Sequence, residues 1–291
     1  MRVAHFTDIH VRRPLRLAEI PGKRLLGAAN LAYSGRGAGF SDRVVEALAR
    51  AVLDLSPDVV VCTGDLTALA TRAEFEAAWT LLSPIFERFP FVLVPGNHDA
   101  YTSSAARKRP IERTFGAFTG GGAYPAVHRF GYLSFVGVDS ARFHPIFASG
   151  RIPGPVLSRL GDVLREDDAP CQVLLVHHPL LRASGEPATR RTRDLVNRAD
   201  LLSVLASADR LGLILHGHEH RGYRGVLSLD GRTVPVVNPG SGGLERVPEH
   251  RRTAHVCVYT LAEEGLIDVE RHAFDGQAFV PEPGGAFASG W

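Results

Sequence analysis

Five short apolar runs in this chain end in the same way, in a turn that presents Asp, Asn or His. The clearest is Val92-Leu93-Val94-Pro95-Gly96-Asn97-His98-Asp99, where a strand-forming run stops at Pro-Gly and three polar groups of different chemistry follow without a gap. The others end at Asp8-Ile9-His10, Gly64-Asp65, His177-His178-Pro179 and His216-Gly217-His218-Glu219-His220. A strand end that opens into a turn presents side chains at the rim of an α/β sheet. Alternation along a strand puts Asp8 and His10 on one face. One such end is an ordinary β-turn with a solvated histidine; five restrict the chain to a fold that gathers strand ends at one rim.

Between these runs lie helical patterns. Ser41 or Asp42 can cap a helix through Val44, Leu48 and Leu55, and a second runs from about Arg72 to Phe89 with Pro84 as a kink or boundary. Residues 100–128 read as irregular apart from one short helix around Ile111 to Phe118, and further helices are expected over Val156–Arg165 and from about Arg193 to Ser207. Strand-like pieces at 222–229, 233–237, 254–260 and 266–272 close the chain. Strands alternating with helices give the α/β class, and the closing strands call for a mixed sheet or two sheets. No linker divides the sequence, so one domain over 1–273 is expected, followed by an irregular tail over 274–291.

Composition matters mainly for what it excludes. A net charge of +2 over 291 residues gives no case for non-specific nucleic-acid binding or for an acidic tail. Lys23 and Lys108 are the only lysines, so the abundant arginines reflect a compositional bias and scattered ones carry no weight. Cys62, Cys171 and Cys257 form no CxxC pair and sit in or beside apolar runs, which points to buried thiols in a reducing cytoplasm. The sequence passes straight from Met1 into a strand with no signal peptide, and no apolar run approaches the roughly 18 residues of a membrane span.

The donors at the five ends are oxygen and imidazole only. Such sets suit zinc, iron and manganese, and there are too many for one tetrahedral zinc. The count suits two metals sharing a carboxylate. In order, residue type and approximate spacing the five blocks resemble the calcineurin-like metallophosphoesterases, over residues 8 to 220. The resemblance implies a sandwich of two mixed β-sheets flanked by helices. It assigns Asp8, His10 and His220 to one metal, Asn97, His177 and His218 to the second, and Asp65 to both. The ions would be Mn2+, Fe2+/Fe3+ or Zn2+. His177 is preferred to His178 because the family's ligand lies two residues before the proline; His178 would support a ligand or face the substrate. His98 would reach the phosphoryl oxygen or the leaving group, with Asp99 orienting that imidazole or capping the turn. The implied reaction is phosphodiester hydrolysis by a water activated between two cations.

Departures from relatives narrow the branch. The stretch Gly64-Asp65-Leu66-Thr67-Ala68-Leu69 lacks the GDxxDRG pattern of protein Ser/Thr phosphatases. His98 stands where UDP-diacylglucosamine pyrophosphohydrolases carry Arg. What remains resembles bacterial cyclic-nucleotide (class III) and glycerophosphodiester phosphodiesterases, implying a small phosphodiester substrate. Two alternatives stay open: a hydrolase of a nucleotide-lipid or phospholipid at the membrane surface, and a metal-free scaffold. The basic-apolar stretch 14–31, within the segment 11–42, reads as a solvated connector; a lid, an oligomer contact or a peripheral contact with the inner membrane are the other readings.

Single polar residues elsewhere read as structural. Asp58 and Asp139 read as turn residues, and His5, His128, His144, His250, His255 and His272 as surface or hydrogen-bonded histidines. His216 is open between a bystander and a support for a ligand. The Asn238–Gly243 turn is open between a tight turn and a lining of the site by N–H groups.

Overall fold

In the computed structural model, residues 1–16, 24, 39–248 and 252–282 are described. Two six-stranded sheets face each other. The first has the order β12 (Phe279–Pro281), β11 (Gly265–Phe274), β10 (His255–Ala262), β1 (Arg2–Phe6), β2 (Val59–Cys62), β3 (Phe91–Leu93). The second runs β4 (Ala126–Phe130), β5 (Leu133–Val138), β6 (Cys171–Val176), β7 (Leu211–Leu215), β9 (Arg232–Asn238), β8 (Tyr223–Leu229). β1, β2 and β3 are mutually parallel, as are β5, β6, β7 and β9, and antiparallel strands close the edges. This is the two-sheet sandwich that the resemblance implies.

The parallel strands are covered on both faces, which is why they read as unbroken apolar runs rather than as alternating ones. All four residues of β2 and all six of β6 are buried. Val3, Val61, Phe135, Leu175 and Leu215 fill the space between the sheets, together with the free thiols Cys171 and Cys257. Outside the first sheet lie α1 (Asp42–Leu55) and α2 (Arg72–Phe86). Ser41 caps α1 by accepting the Val44 N–H, while Thr71 and Glu74 form a reciprocal capping box on α2. Outside the second sheet lie α5 (Gly154–Glu166) and α6 (Arg198–Ala206). No described helix is long and apolar enough to cross a membrane.

Several expectations need correction. Pro84 ends α2 two residues later, at Phe86, not at Phe89. The stretch 100–128 is more regular than its glycines suggest. It holds α3 (Ser103–Lys108), capped by Thr102, α4 (Pro110–Phe115) with proline at its start, and β4. β4 is an edge strand with one buried residue in five, so it shows no apolar run. The helix expected from Arg193 starts at Arg198, because the Arg190 N–H donates to the Asp194 carboxylate and holds a turn there. The tail is not wholly irregular: β11 extends to Phe274 and β12 pairs with it at Phe274↔Phe279. The expectations for 17–23 and 25–38, most of the 14–31 stretch, and for the tail beyond 282 lie outside the described residues, as does His250.

Candidate metal centre

All the parallel strands point their carboxyl ends at one rim, where the turns after β1, β2, β3, β6 and β7 meet. The turn after β1 is zipped to the one after β2: the N–H groups of Asp8, His10 and Val11 donate to the carbonyls of Gly64, Asp65 and Leu66 at 2.9, 3.1 and 2.8 Å. The second sheet ties in through the His218 N–H, which donates to Asp8 Oδ2 at 2.9 Å, and through His177 Nδ1, 2.7 Å from the Thr63 carbonyl. Asp8, His10, Asp65, His218 and His220 all have φ between 46° and 73°. Left-handed backbone at non-glycine residues costs about 1 kcal/mol or more each, and persists where surrounding structure enforces it. Five of the nine such residues among those described are candidate ligands, so the strain is concentrated on the site.

Two groups of donors result, each with its ligand atoms within 4.8 Å of one another: Asp8, His10, Asp65 and His220, and Asp65, His177 and His218. In the first, Nε2 of His10 and Nε2 of His220 stand 2.9 Å apart, and His220 Nε2 lies 3.2 Å from Asp8 Oδ1. In the second, Asn97 Oδ1 joins the set, 3.2 Å from His177 Nε2 and 2.7 Å from His218 Nδ1. Asp65 divides its oxygens. Oδ1 accepts the His98 N–H at 2.7 Å, while Oδ2 stands 3.7 Å from His10 Nε2 and 3.4 Å from His177 Nε2, facing both groups.

The cluster fits metal ions by its own polar accounting. Buried Asp8 Oδ1 makes no hydrogen bond among the described residues and faces only imidazole nitrogens, His220 Nε2 at 3.2 Å and His10 Nε2 at 3.7 Å, a costly arrangement for a carboxylate oxygen unless a cation satisfies it. Burial disfavours the Asp65 carboxylate, yet His177 and His98 outweigh it and hold it well below the usual carboxylate range. Burial likewise opposes charge on His177, but Asp65 carries it up to about 9. Converging acceptors that draw a proton onto an imidazole are a place for a cation, which displaces that proton on binding. Asp, Asn and His with no cysteine form a donor set for manganese, iron or zinc, enough for a dinuclear site.

Hydrogen bonding sorts the remaining histidines. His177 gives Nδ1–H to a carbonyl, which can only accept, leaving Nε2 for the cluster. His178 uses both nitrogens, with Nε2 3.0 Å from the Ala148 carbonyl and Nδ1 2.8 Å from Ser140 Oγ. It therefore packs against His218, ring centroids 4.6 Å apart, as a support. His216 spends Nδ1 on the Val176 carbonyl and Nε2 on the Leu180 N–H, bracing β6 against β7 beneath His177 and His218. His5 is buried and satisfied by Tyr259 and Thr63. His128, His144, His255 and His272 belong to neither donor group. Asp139 accepts the Ala141 N–H, as a turn residue does.

His98 stands edge-on to His10, centroids 4.7 Å apart. Its Nδ1 donates to the Ala68 carbonyl at 2.7 Å, and its Nε2 is left without a bond to any described residue. Burial pushes its pKa down to about 4, so the resting ring is neutral and offers a lone pair. The expectation that Asp99 orients this ring needs correction. The Asp99 carboxylate accepts the N–H groups of Gly96, Leu66 and Thr67 and the Thr67 hydroxyl, at 3.0 to 3.3 Å. It caps its own turn and staples that turn to the one after β2. The Asn238–Gly243 turn is also a brace: Ser241 Oγ donates to the Asp8 carbonyl and the Gly242 N–H to the Thr7 carbonyl, both at 2.7 Å.

A glycine precedes three of the seven candidate ligands, Asp65, Asn97 and His218. A Cβ on Gly96 would lie 2.1 Å from Asp65 Oδ1, and one on Gly217 would lie 2.2 Å from Thr7 Oγ1. The repeated Gly64-Asp65, Gly96-Asn97 and Gly217-His218 pairs were the available signal. Gly96→Ala should therefore push the shared carboxylate out of place. The expected result is a loss of about 1–3 kcal/mol in stability together with weakened metal binding, checked by thermal unfolding and metal titration. Unchanged metal affinity would contradict this close approach.

A model of the calcineurin-like phosphoesterase family matches residues 1–222. A Synechococcus protein described as a "probable cyclic nucleotide phosphodiesterase" is 25% identical over 171 residues, 58% of this chain and 60% of the relative's length. Among solved structures, a dimetal phosphatase from Danio rerio superposes with a TM-score of 0.61 at 16% identity, covering 96% of this chain and 98% of that one. A purple acid phosphatase from yellow lupin (Lupinus luteus) seeds gives the same TM-score at 15% identity, over 96% of this chain and 52% of that one. These two share the fold. With all seven candidate ligands inside the family match over residues 1–222 and the donor groups assembled, the chain belongs to the calcineurin-like phosphoesterase family.

Proposed function

We propose that the protein is a dinuclear-metal-dependent phosphodiesterase acting on cyclic nucleotides or similar small phosphodiesters. The observation that carries the reading is the single oxygen, Asp65 Oδ2, that faces both donor groups. Asp8, His10 and His220 would hold one ion, Asn97, His177 and His218 the other, and Asp65 both. Cations bound there would neutralise charge on a phosphate ester and lower the pKa of a coordinated water.

The chain's own residues then do the following. Asn97 contributes an oxygen without charge, so it does not add to the repulsion of an anionic ester. His98 presents Nε2 to the substrate. An arriving anion favours the protonated ring, which can then hydrogen-bond a phosphoryl oxygen or protonate the leaving alkoxide. Phe40 stands edge-on to His10 and His220, and Tyr101 stacks on His98 at 5.3 Å and 24°. His220, its side chain 35% exposed, marks the open side of the centre. Aromatic rings beside that opening suit a nucleoside, in keeping with the description of the Synechococcus relative. Three buried, unpaired cysteines support a reducing, cytoplasmic setting.

The test is metal analysis of protein purified without chelator, joined to turnover of bis-p-nitrophenyl phosphate, cyclic AMP and a nucleotide-lipid, each with manganese and with or without liposomes. About two metal ions per chain are expected, with turnover of the water-soluble diesters alone. Turnover only with lipid would replace this reading with the membrane-surface hydrolase. Less than one ion per chain, with no activity after manganese, would leave a scaffold.

A further inference from the structure

Beside the segments 68–70 and 101–104 the surface forms a cleft of about 610 Å³ whose walls, among the described residues, carry four cations, Arg24, Arg72, Lys108 and Arg113, against one carboxylate, Glu76. That carboxylate is already taken, since Arg72 Nε lies 2.6 Å from it. Arg24 is anchored to the carbonyls of Leu69 and Ala70. The side chains of Lys108 and Arg113 are exposed, while the neighbouring carboxylate of Glu112 is taken by Arg109. Arginines are common in this chain and singly mean little. Here, in a protein with a net charge of only +2, they are concentrated around one concavity, with one of the two lysines among them. The first turn of α2, whose N-terminal dipole favours anions, forms part of the same wall.

The cleft draws part of its lining from the two segments that hold the His98 ring. Ala70, in its lining, is two residues from Ala68, whose carbonyl fixes His98 Nδ1. Ser104, also in the lining, is three residues from Tyr101, whose ring stacks on His98. We propose that the cleft is a second anion subsite that takes a phosphate group carried by the leaving portion of the substrate, an inference that rests on the phosphoesterase reading of the metal centre. A phosphomonoester suits it by charge: a doubly charged group meets several cations with three-donor or five-donor heads. Within the small phosphodiesters of that reading, the subsite favours acyclic diesters with a charge beyond the scissile phosphate over cyclic nucleotides, which carry no second phosphate.

Two measurements test this. The first compares kcat/KM for a dinucleoside monophosphate with and without a 5′-phosphate on its leaving nucleoside. The wild-type protein should favour the phosphorylated diester by about tenfold or more, the scale of one or two charge-assisted hydrogen bonds. In the double variant Lys108→Gln, Arg113→Gln that ratio should fall close to one, and Lys108→Arg with Arg113→Lys should restore it. An equal ratio in wild type and double variant would overturn the subsite. The second counts inorganic phosphate bound per chain of metal-loaded protein by equilibrium dialysis. The double variant, its folding checked by thermal unfolding, should bind one fewer than wild type; equal counts would also overturn the subsite. If no diester is turned over at all, the phosphoesterase reading fails, and the phosphate count alone decides the cleft.

Discussion

Replacing Asp65 by alanine should abolish turnover and metal occupancy together. Its Oδ2 is the donor common to both groups, and its Oδ1 fixes the turn after β3 through the His98 N–H at 2.7 Å. Without it, four imidazoles converge on a space that has lost one of its two negative side chains, Asp8 and Asp65. An amide in the turn is also left without its acceptor. Losing both cations removes several kcal/mol of charge stabilisation, so a fall of at least about 10³-fold in kcat is expected. Metal analysis and the bis-p-nitrophenyl phosphate assay check it on the same sample. Asp65→Asn separates shape from charge: it keeps an acceptor for His98 and removes the anion. A variant without the carboxylate that still held two ions per chain would sink the shared-ligand assignment.

Replacing His98 should have the opposite pattern, with metals kept and chemistry lost. The ring belongs to neither donor group and reaches the site only through Nε2, while Nδ1 is held by Ala68. His98→Ala should keep about two ions per chain and lower turnover by roughly 10²–10⁴-fold, the range for removing a general acid. The defect should depend on the leaving group. p-Nitrophenolate departs without a proton, so bis-p-nitrophenyl phosphate should suffer less than an alkyl diester such as cyclic AMP. Equal losses on both would move His98 from the leaving group to the phosphoryl oxygen. Loss of metal would show that the ring props up Asn97, and would remove it from the reaction.

Much of this site was legible because donors placed at strand ends leave a one-dimensional trace. A buried parallel strand is an unbroken apolar run, so its end is marked in the sequence, and the residues just past it are the ones the fold displays. Asp8, His10, Asp65, Asn97, His177, His218 and His220 all lie within a few residues of such an end. Asp99 was less legible. A carboxylate beside a histidine suggests support of the ring, yet its partners, Leu66 and Thr67, lie more than thirty residues back along the chain. His178 and His216 were ambiguous for the same reason. What distinguishes them from His177 is whether both nitrogens are already bonded, and their partners, Ala148, Ser140, Val176 and Leu180, are set by strand packing.

The sequence by itself determined the α/β class, the order of the strand ends and the chemical identity of the donors, because side-chain period and apolar runs are local properties. Only the tertiary structure decided that Asp65 turns one oxygen to each task, that five candidate ligands share a left-handed backbone, and that β4 and β12 complete the sheets. Those features depend on which segments meet across two facing sheets. The basic cleft is of the same kind: Arg72, Lys108 and Arg113 come from α2, from the end of α3 and from α4, and only packing makes them one surface.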